Sequence, residues 1–184
     1  MLVFWIILGG VALVSLAAIG IYNEFVSLRQ NLKNAWSQID VQLKRRHDLI
    51  PNLVETAKGY MAHEKETLER VIKARQQAVD ASNIKDKQQA ENFLTGTLRS
   101  LFAVVENYPN LKADQQMLKL QEELTTTENK IAFARQYYND EVARYNTAVQ
   151  TFPNSVMAGM GGFTPSEYFQ IEDPAEKTAP NVKF

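Results

Sequence analysis

The side chains best placed to do chemistry in this sequence are polar residues that fall on the predicted core faces of its helices. On the last long helix, the row beside the apolar heptads reads Gln121, Glu128 and Arg135, so charged groups replace hydrophobic ones over the two turns from Glu128 to Arg135. Three further charges interrupt apolar stripes earlier in the chain. The resulting polar layer comprises Arg46, Arg75, Glu91, Gln121, Glu128 and Arg135. Because an unpaired charge inside a helix bundle is strongly unfavourable, we expect these groups to pair with one another or to reach water.

Two roles are open for this polar layer. It could fix the register of the helices, as polar core residues do in coiled coils, and this is the interpretation we favour. Alternatively, Arg46, Glu128, Arg135 and Tyr138 could bind a small anion in a sensor or an enzyme. Under the first interpretation, Glu128→Ala is expected to lower stability by about 3 kcal/mol or more if the site is dry.

Other patterns typical of catalysis are missing from the sequence. Its two histidines, His47 and His63, do not occur in a HExxH or ExxH spacing, and the chain has neither a cysteine nor a GxSxG motif. We interpret His47 as part of a solvated basic stretch and His63 as the start of a helix. The sequence therefore predicts no catalytic residue, metal site or cofactor, and a protein that is not an enzyme. The 20 basic and 21 acidic residues nearly balance, which gives no reason to expect a nucleic-acid partner.

Long amphipathic helices are the elements that position these groups. A seven-residue apolar repeat runs from Trp36 to Ala57 across Pro51, which predicts either a kink at the proline or a helix that restarts with Asp48 as its N-cap. Further helices are predicted at about residues 63–83, 85–107 and 113–151. The expected fold is all-α, with an antiparallel four-helix bundle. The predicted domains are an anchor at residues 1–22, the bundle at 23–152 and a flexible C-terminal tail at 153–184.

The first 22 residues carry no charged side chain, and about 20 apolar residues in a helix span a bilayer core of roughly 30 Å. No basic residue precedes them, which favours an uncleaved anchor over a signal peptide. Positive charges such as Arg29 and Lys33 follow the segment, so we predict an outside N-terminus and a cytoplasmic domain. Gly9, Ala12, Ser15 and Ala18 recur every third residue, and we expect them to form a face for self-association in the bilayer.

Several long strings make the sequence similar to one protein family. AWSQIDVQLKRRHDLIPNLVETAKGY from Ala35, AEN at Ala90, LQEELTTTENKIAFARQYYND from Leu120 and the terminal PNVKF resemble the LemA family over essentially the whole chain. This resemblance implies a bacterial inner-membrane protein with one membrane helix and a cytoplasmic helical bundle. The resemblance suggests neither a specific biochemical activity nor any catalytic residue. It makes a membrane protease or another membrane protein a candidate partner.

Together these observations favour a membrane-anchored scaffold or adaptor that forms a homo-oligomer through its helices and presents its C-terminal tail to partners. The alternative is the small-anion sensor or enzyme built on the polar layer. The two differ in one structural feature, because a sensor needs the polar side chains to line an open pocket and a scaffold needs them to close on one another.

Overall fold

The computed structural model of the chain describes residues 1–169, and within them the backbone forms six helices and no strand. In chain order they are α1 (Leu2–Lys58), α2 (Lys65–Asp80), α3 (Ile84–Val105), α4 (Pro109–Lys112), α5 (Gln115–Gln150) and α6 (Asn154–Gly161). The predicted all-α class is confirmed. The predicted helices at 63–83, 85–107 and 113–151 correspond to α2, α3 and α5, whereas α4 and α6 are additional.

Helix α1 is continuous over 57 residues and contains Pro51. The helix therefore does not restart at this proline, and the alternative in which Asp48 acts as an N-cap is wrong; Asp48 instead accepts a hydrogen bond from Lys44 one turn earlier. The N-terminal part of α1 is long and apolar enough to cross a membrane, and none of that segment is buried against the rest of the described chain. Apolar side chains in such a helix find their favourable environment in lipid.

The described chain divides into two compact units. The first comprises Met1–Asp40 and Phe133–Tyr168, and so contains the beginning of α1, the end of α5 and all of α6. Its core brings together aromatic and small side chains from these three helices and from the segment after α6. The buried members are Phe25, Tyr145, Val149, Ala158 and Phe163.

The second unit comprises Val41–Ala132 together with Phe169 among the described residues. Its core takes apolar side chains from α1, α2, α3, α4 and α5, with Leu53, Val71, Leu101 and Leu111 all fully buried. Two helix starts are capped by side chains: Asn83 accepts from the backbone N–H of Asp86 at the start of α3. Asp114 does the same for Met117 at the start of α5. Such caps satisfy N–H groups that have no partner inside the helix.

Residues 153–169 do not form the flexible tail that the sequence predicted from residue 153 onward. Residues 170–184 of that predicted tail lie outside the described part of the chain. Helix α6 is capped by Gly162, whose φ of 68° is the left-handed conformation that favours glycine. The N–H of Phe163 donates to the carbonyl of Ala158 at 3.0 Å. The amide of Asn146 on α5 then exchanges two hydrogen bonds with the backbone of Ser166, at 2.8 and 2.9 Å. The Tyr138 hydroxyl donates to the Glu167 carbonyl at 3.1 Å. Hydrogen bonds to α5 therefore hold the segment that follows α6.

Candidate functional site

The centre of the polar layer is Arg46, whose side chain is 1 % exposed and lies in the second unit. One terminal nitrogen of its guanidinium donates to the carboxylate of Glu91 on α3. The other donates to the carboxylate of Glu128 on α5 and, at 3.0 Å, to the hydroxyl of Thr95. Glu91 and Thr95 are four residues apart, so both face α1 from the same side of α3. Arg46 thus connects α1 to two other helices through charge-assisted hydrogen bonds.

Glu91 is fully buried, and both of its oxygens have partners. The oxygen that does not face Arg46 lies 2.8 Å from Nε2 of His47. Burial alone raises the pKa of this carboxyl, but the hydrogen bond from His47 and the charge of Arg46 outweigh it and hold the pKa of Glu91 below its ordinary value. Glu91 is therefore ionised at neutral pH, and an ionised carboxylate only accepts, so Nε2 of His47 carries the proton.

Arg75 joins the cluster through the backbone of α1. Its Nε donates to the carbonyl oxygen of His47 at 2.7 Å. In an α-helix this carbonyl would accept from the N–H four residues later, but that residue is Pro51, which has no N–H. Arg75 on α2 therefore supplies the hydrogen bond that Pro51 removes. This contact helps to explain why α1 remains helical through a residue that usually interrupts a helix.

The structure brings together four of the six residues predicted for the polar layer. Glu91 and Glu128 each contact Arg46 directly, and Arg75 reaches them through His47. Gln121 is exposed on α5 and does not contribute its side chain to the cluster. Arg135 is buried but belongs to the first unit, as does Tyr138.

Tyr138 packs in the first unit, where its ring contacts Trp36 edge-on with ring centroids 5.3 Å apart. Burial and the nearby Glu167 carboxylate raise the pKa of the Tyr138 hydroxyl, which keeps it a neutral donor. The four-residue set proposed for an anion site is therefore shared between the two units, with Arg46 and Glu128 in the second unit and Arg135 and Tyr138 in the first.

His47 and Thr95 are members of the cluster that the sequence reasoning did not include. His47 was expected in a solvated basic stretch, but it is 8 % exposed. A signal was present in the spacing: Leu43, His47, Ile50 and Val54 follow one another at four, three and four residues, and all four are buried. This is the spacing of one helix face, which places His47 on the core side of α1.

Two buried polar atoms on α1 have no hydrogen-bond partner among the described residues: Nε of Arg46 and Oε1 of Gln42. The two residues are one helical turn apart, and one atom is a donor while the other is an acceptor. Within residues 1–169, no group of three or more His, Asp or Glu side chains is placed to hold a metal ion.

An open groove in the first unit is the other concave surface of interest. It is lined mainly by small and polar side chains of α1, α5 and α6, with Glu24 and Arg144 as its charged members. Arg144 pairs with Glu141 one turn earlier on α5. The groove contains no buried titratable group positioned for acid–base chemistry among its lining residues.

The residues predicted for self-association in the membrane lie in the N-terminal part of α1. Ser15 donates its hydroxyl to the carbonyl of Val11 at 2.9 Å, so its polar group is satisfied within its own helix. A step of three residues turns an α-helix by about −60°, so three steps place Gly9 and Ala18 on opposite sides. The self-association face of Gly9, Ala12, Ser15 and Ala18 stays a prediction, and within it neighbours such as Ala12 and Ser15 lie side by side.

Comparison with known proteins places these features in a family context. The model of the LemA family matches residues 35–184. Magnetosome protein MamQ of Magnetospirillum gryphiswaldense is 28% identical over 183 residues, covering 85% of this chain and 67% of the relative. Magnetosome protein MamQ 2 of Paramagnetospirillum magneticum has the same identity and coverage. Protein LemA of Metamycoplasma hominis is 26% identical over 144 residues, covering 76% of this chain and 64% of the relative.

Proposed function

Because this chain belongs to the LemA family, whose model covers 150 of its residues at positions 35–184, we propose that it is a membrane-anchored scaffold without catalytic activity. It assembles with further copies through its helices and presents the residues after Phe169 to partners. The observation that carries this proposal is that the polar cluster around Arg46 closes on itself.

Arg46, Glu91 and Glu128 each face an opposite charge instead of a space for substrate. Both terminal nitrogens of Arg46 are bonded to carboxylates, and both oxygens of Glu91 are bonded to cationic or donor groups. A catalytic acid or base has to reach the proton that it transfers, and a ligand site needs polar groups that converge on an open volume. The arrangement instead favours a structural role, in which buried polar contacts fix the register of helices that apolar packing alone leaves less defined.

We also propose that α1, α2, α3 and α5 pack as the antiparallel four-helix bundle expected from the sequence. In the second unit one continuous apolar cluster takes side chains from all four helices. The polar contacts also join all four, since Arg46 and His47 on α1 contact α3, α5 and α2. The short connections between α2 and α3 and between α3, α4 and α5 are typical of antiparallel neighbours.

The scaffold is proposed to reside in the inner membrane, with its N-terminus outside and its helical domain in the cytoplasm. The exposed apolar segment at the start of α1 supports the anchor. The presence of Arg29 and Lys33 after that segment supports the orientation.

Two surfaces could support assembly with a second copy of the chain. Phe133 and Tyr137 are one turn apart on α5, and their side chains are exposed. An exposed aromatic pair on an otherwise polar helix face is typical of a contact surface. In the membrane segment, Ala12 and Ser15 are neighbouring small residues that allow close approach of two helices.

The assembly proposal is tested by energy transfer between differently labelled copies of the full chain in bilayers. Phe133→Ser with Tyr137→Ser removes the aqueous contact, and Ala12→Leu with Ser15→Leu removes the close approach in the membrane. Phe93→Ser serves as the control, because Phe93 is a comparably exposed aromatic residue on a different helix, α3. We expect the aqueous pair to reduce transfer and Phe93→Ser to leave it unchanged. No transfer in the wild type, or equal transfer in all variants, would show that these helices do not mediate assembly.

The competing proposal, a small-anion sensor or enzyme, has one observation in its favour. Nε of Arg46 and Oε1 of Gln42 are buried without a partner among the described residues, so a small polar molecule could bridge them. Against it, two carboxylates already face the guanidinium, and their charge disfavours an additional anion. If inorganic phosphate or sulfate raised the free energy of unfolding of the protein, the sensor would be favoured over the scaffold.

A further inference from the structure

Helix α6 has one packed side and one exposed apolar side. Ala158 is 2 % exposed and belongs to the core of the first unit, where Met157 packs beside it. Val156 and Met160 each lie two residues from Ala158, about 200° around the helix, and four residues from each other. Their side chains are 54 % and 79 % exposed. Both therefore lie on a single face that points away from the protein core.

This face lies at the point where the apolar segment of α1 ends. The ring of Phe163, which follows α6, contacts Tyr22 edge-on and Phe25 at centroid distances of 5.7 and 4.9 Å. A Cβ atom built on Gly161 would lie 4.0 Å from Cδ2 of Tyr22. Tyr22 is the last residue of the uncharged N-terminal segment, and the exposed Met160 is three residues before Phe163, whose ring contacts the end of that segment.

The surroundings of α6 have the composition of a membrane interface. There is no charged residue between Arg144 and Glu167, and the side chain of Phe152 before α6 is also exposed. Arg29 lies over the ring of Phe163, with Cζ 5.9 Å from the ring centroid. Aromatic rings with a neighbouring cation are typical of the headgroup level of a bilayer. Phe163 thus ties α6 to the end of the apolar segment, and the absence of charge between residues 144 and 167 favours lipid over a protein as the partner of the exposed face.

We propose that α6 is an interfacial helix whose Val156 and Met160 face, with Phe152, rests in the boundary between lipid headgroups and acyl chains. The inference depends on the membrane anchor of the proposed function and goes beyond it, because it assigns a second lipid-binding element to the chain. Since the segment carries no basic residue, its attachment depends on apolar contact and does not require anionic lipid. It would position the end of α5 against the membrane next to the span.

The test uses the full chain, which has no native cysteine, so that one introduced thiol carries one environment-sensitive fluorophore. The labelled variants are Val156→Cys and Met160→Cys, reconstituted in phosphatidylcholine vesicles in which some lipids carry a nitroxide on the acyl chain. Val79→Cys on α2 is the aqueous control, because Val79 has a comparable exposed fraction of 48 %. Val14→Cys, in the apolar segment of α1, reports whether the span itself is inserted.

We expect the labels at positions 14, 156 and 160 to emit at shorter wavelength than the label at 79 and to lose intensity to the lipid-borne nitroxide. The label at 79 should instead be quenched by iodide in the buffer. If position 14 is quenched by lipid while 156 and 160 respond only to iodide, the interfacial helix is refuted and the anchor stands. Labels at 156 and 160 that are shielded from both quenchers would show that protein covers the face, which also overturns the proposal. Failure at position 14 would remove the anchor and the interfacial helix together.

Discussion

Replacing Glu91 by alanine should destabilise this protein far more than the same change at Glu128, although both carboxylates bind the same arginine. Glu91 is fully buried, whereas the side chain of Glu128 is 41% exposed to solvent. Removing Glu91 leaves the guanidinium of Arg46 with one partly solvated carboxylate and the Thr95 hydroxyl. Removing Glu128 leaves Arg46 with its buried partner.

The magnitudes follow from this difference in burial. Breaking a buried ion pair by removing one partner costs about 3 to 5 kcal/mol, because the other charge remains desolvated. Glu91→Ala also removes the acceptor of His47, a further loss of about 1 kcal/mol. The contact of Arg46 with Glu128 offsets part of this, so we expect a total of about 3 to 4 kcal/mol. For Glu128→Ala we expect about 1 kcal/mol, because an ion pair with a solvated partner contributes little. The value of about 3 kcal/mol expected from the sequence for Glu128 assumed a dry site.

The measurement is urea-induced unfolding of the full chain in a mild non-ionic detergent, followed by the helical circular dichroism signal. Asp48→Ala is a suitable control, because Asp48 pairs with Lys44 on the same helix but both side chains are exposed. We expect a change of about 0.5 kcal/mol or less for that variant. A fourth variant, Glu91→Gln, keeps the volume of the side chain and removes its charge, and so separates the electrostatic loss from the cavity.

Equal destabilisation by Glu91→Ala and Glu128→Ala would refute this reasoning, because it would mean that burial does not distinguish the two carboxylates. A Glu91→Ala variant that unfolds like Asp48→Ala would show that water enters the cluster. In the second case the polar layer could not be the element that fixes helix register.

Three further predictions follow from the same contacts. Arg75→Met should lower the free energy of unfolding by about 1.5 kcal/mol, because it removes the donor to the His47 carbonyl. In a Pro51→Ala background, where the backbone donor is restored, the same change should cost about 1 kcal/mol less; a double-mutant cycle in urea measures this coupling, and additive effects would contradict it. The pKa of Glu91 is lower in the folded protein than its ordinary value of 4.5. Ionised Glu91 therefore stabilises the folded state fully above pH 4.5, and this contribution is lost as the pH falls through the lower pKa of the folded state. Below pH 4.5, wild type and Glu91→Gln should therefore converge in unfolding free energy, whereas a constant difference would show that Glu91 does not titrate in this way. A C-terminal alkaline phosphatase fusion should be inactive and a fluorescent-protein fusion bright in cells, and the reverse result would invert the proposed topology.

The sequence by itself determined the secondary structure class, the apolar segment and the helix faces on which charges intrude. A run of 22 uncharged residues and a seven-residue apolar repeat depend only on local spacing, and local spacing fixes which side of a helix a residue occupies. That information was sufficient to group Arg46, Glu91 and Glu128 before any contact was known. It also carried the signal for His47, whose spacing from Leu43 and Ile50 places it on the core side.

Only the tertiary structure decided which of these groups meet. The partners of Arg46 are 45 and 82 residues away, and contact between them depends on how far one helix is displaced along its neighbour. Periodicity does not specify that displacement, so Gln121 and Arg135 fitted the pattern as well as Glu128 did. The same holds for the segment around α6, since Ser166 after the helix is hydrogen-bonded to Asn146, 20 residues earlier on α5. Phe163 in the same segment packs on α1, which lies far from it in sequence. The sequence of this glycine-rich segment, taken without its contacts to α1 and α5, predicts a flexible tail. Its own residues contribute too little buried surface to offset the entropy lost on ordering it.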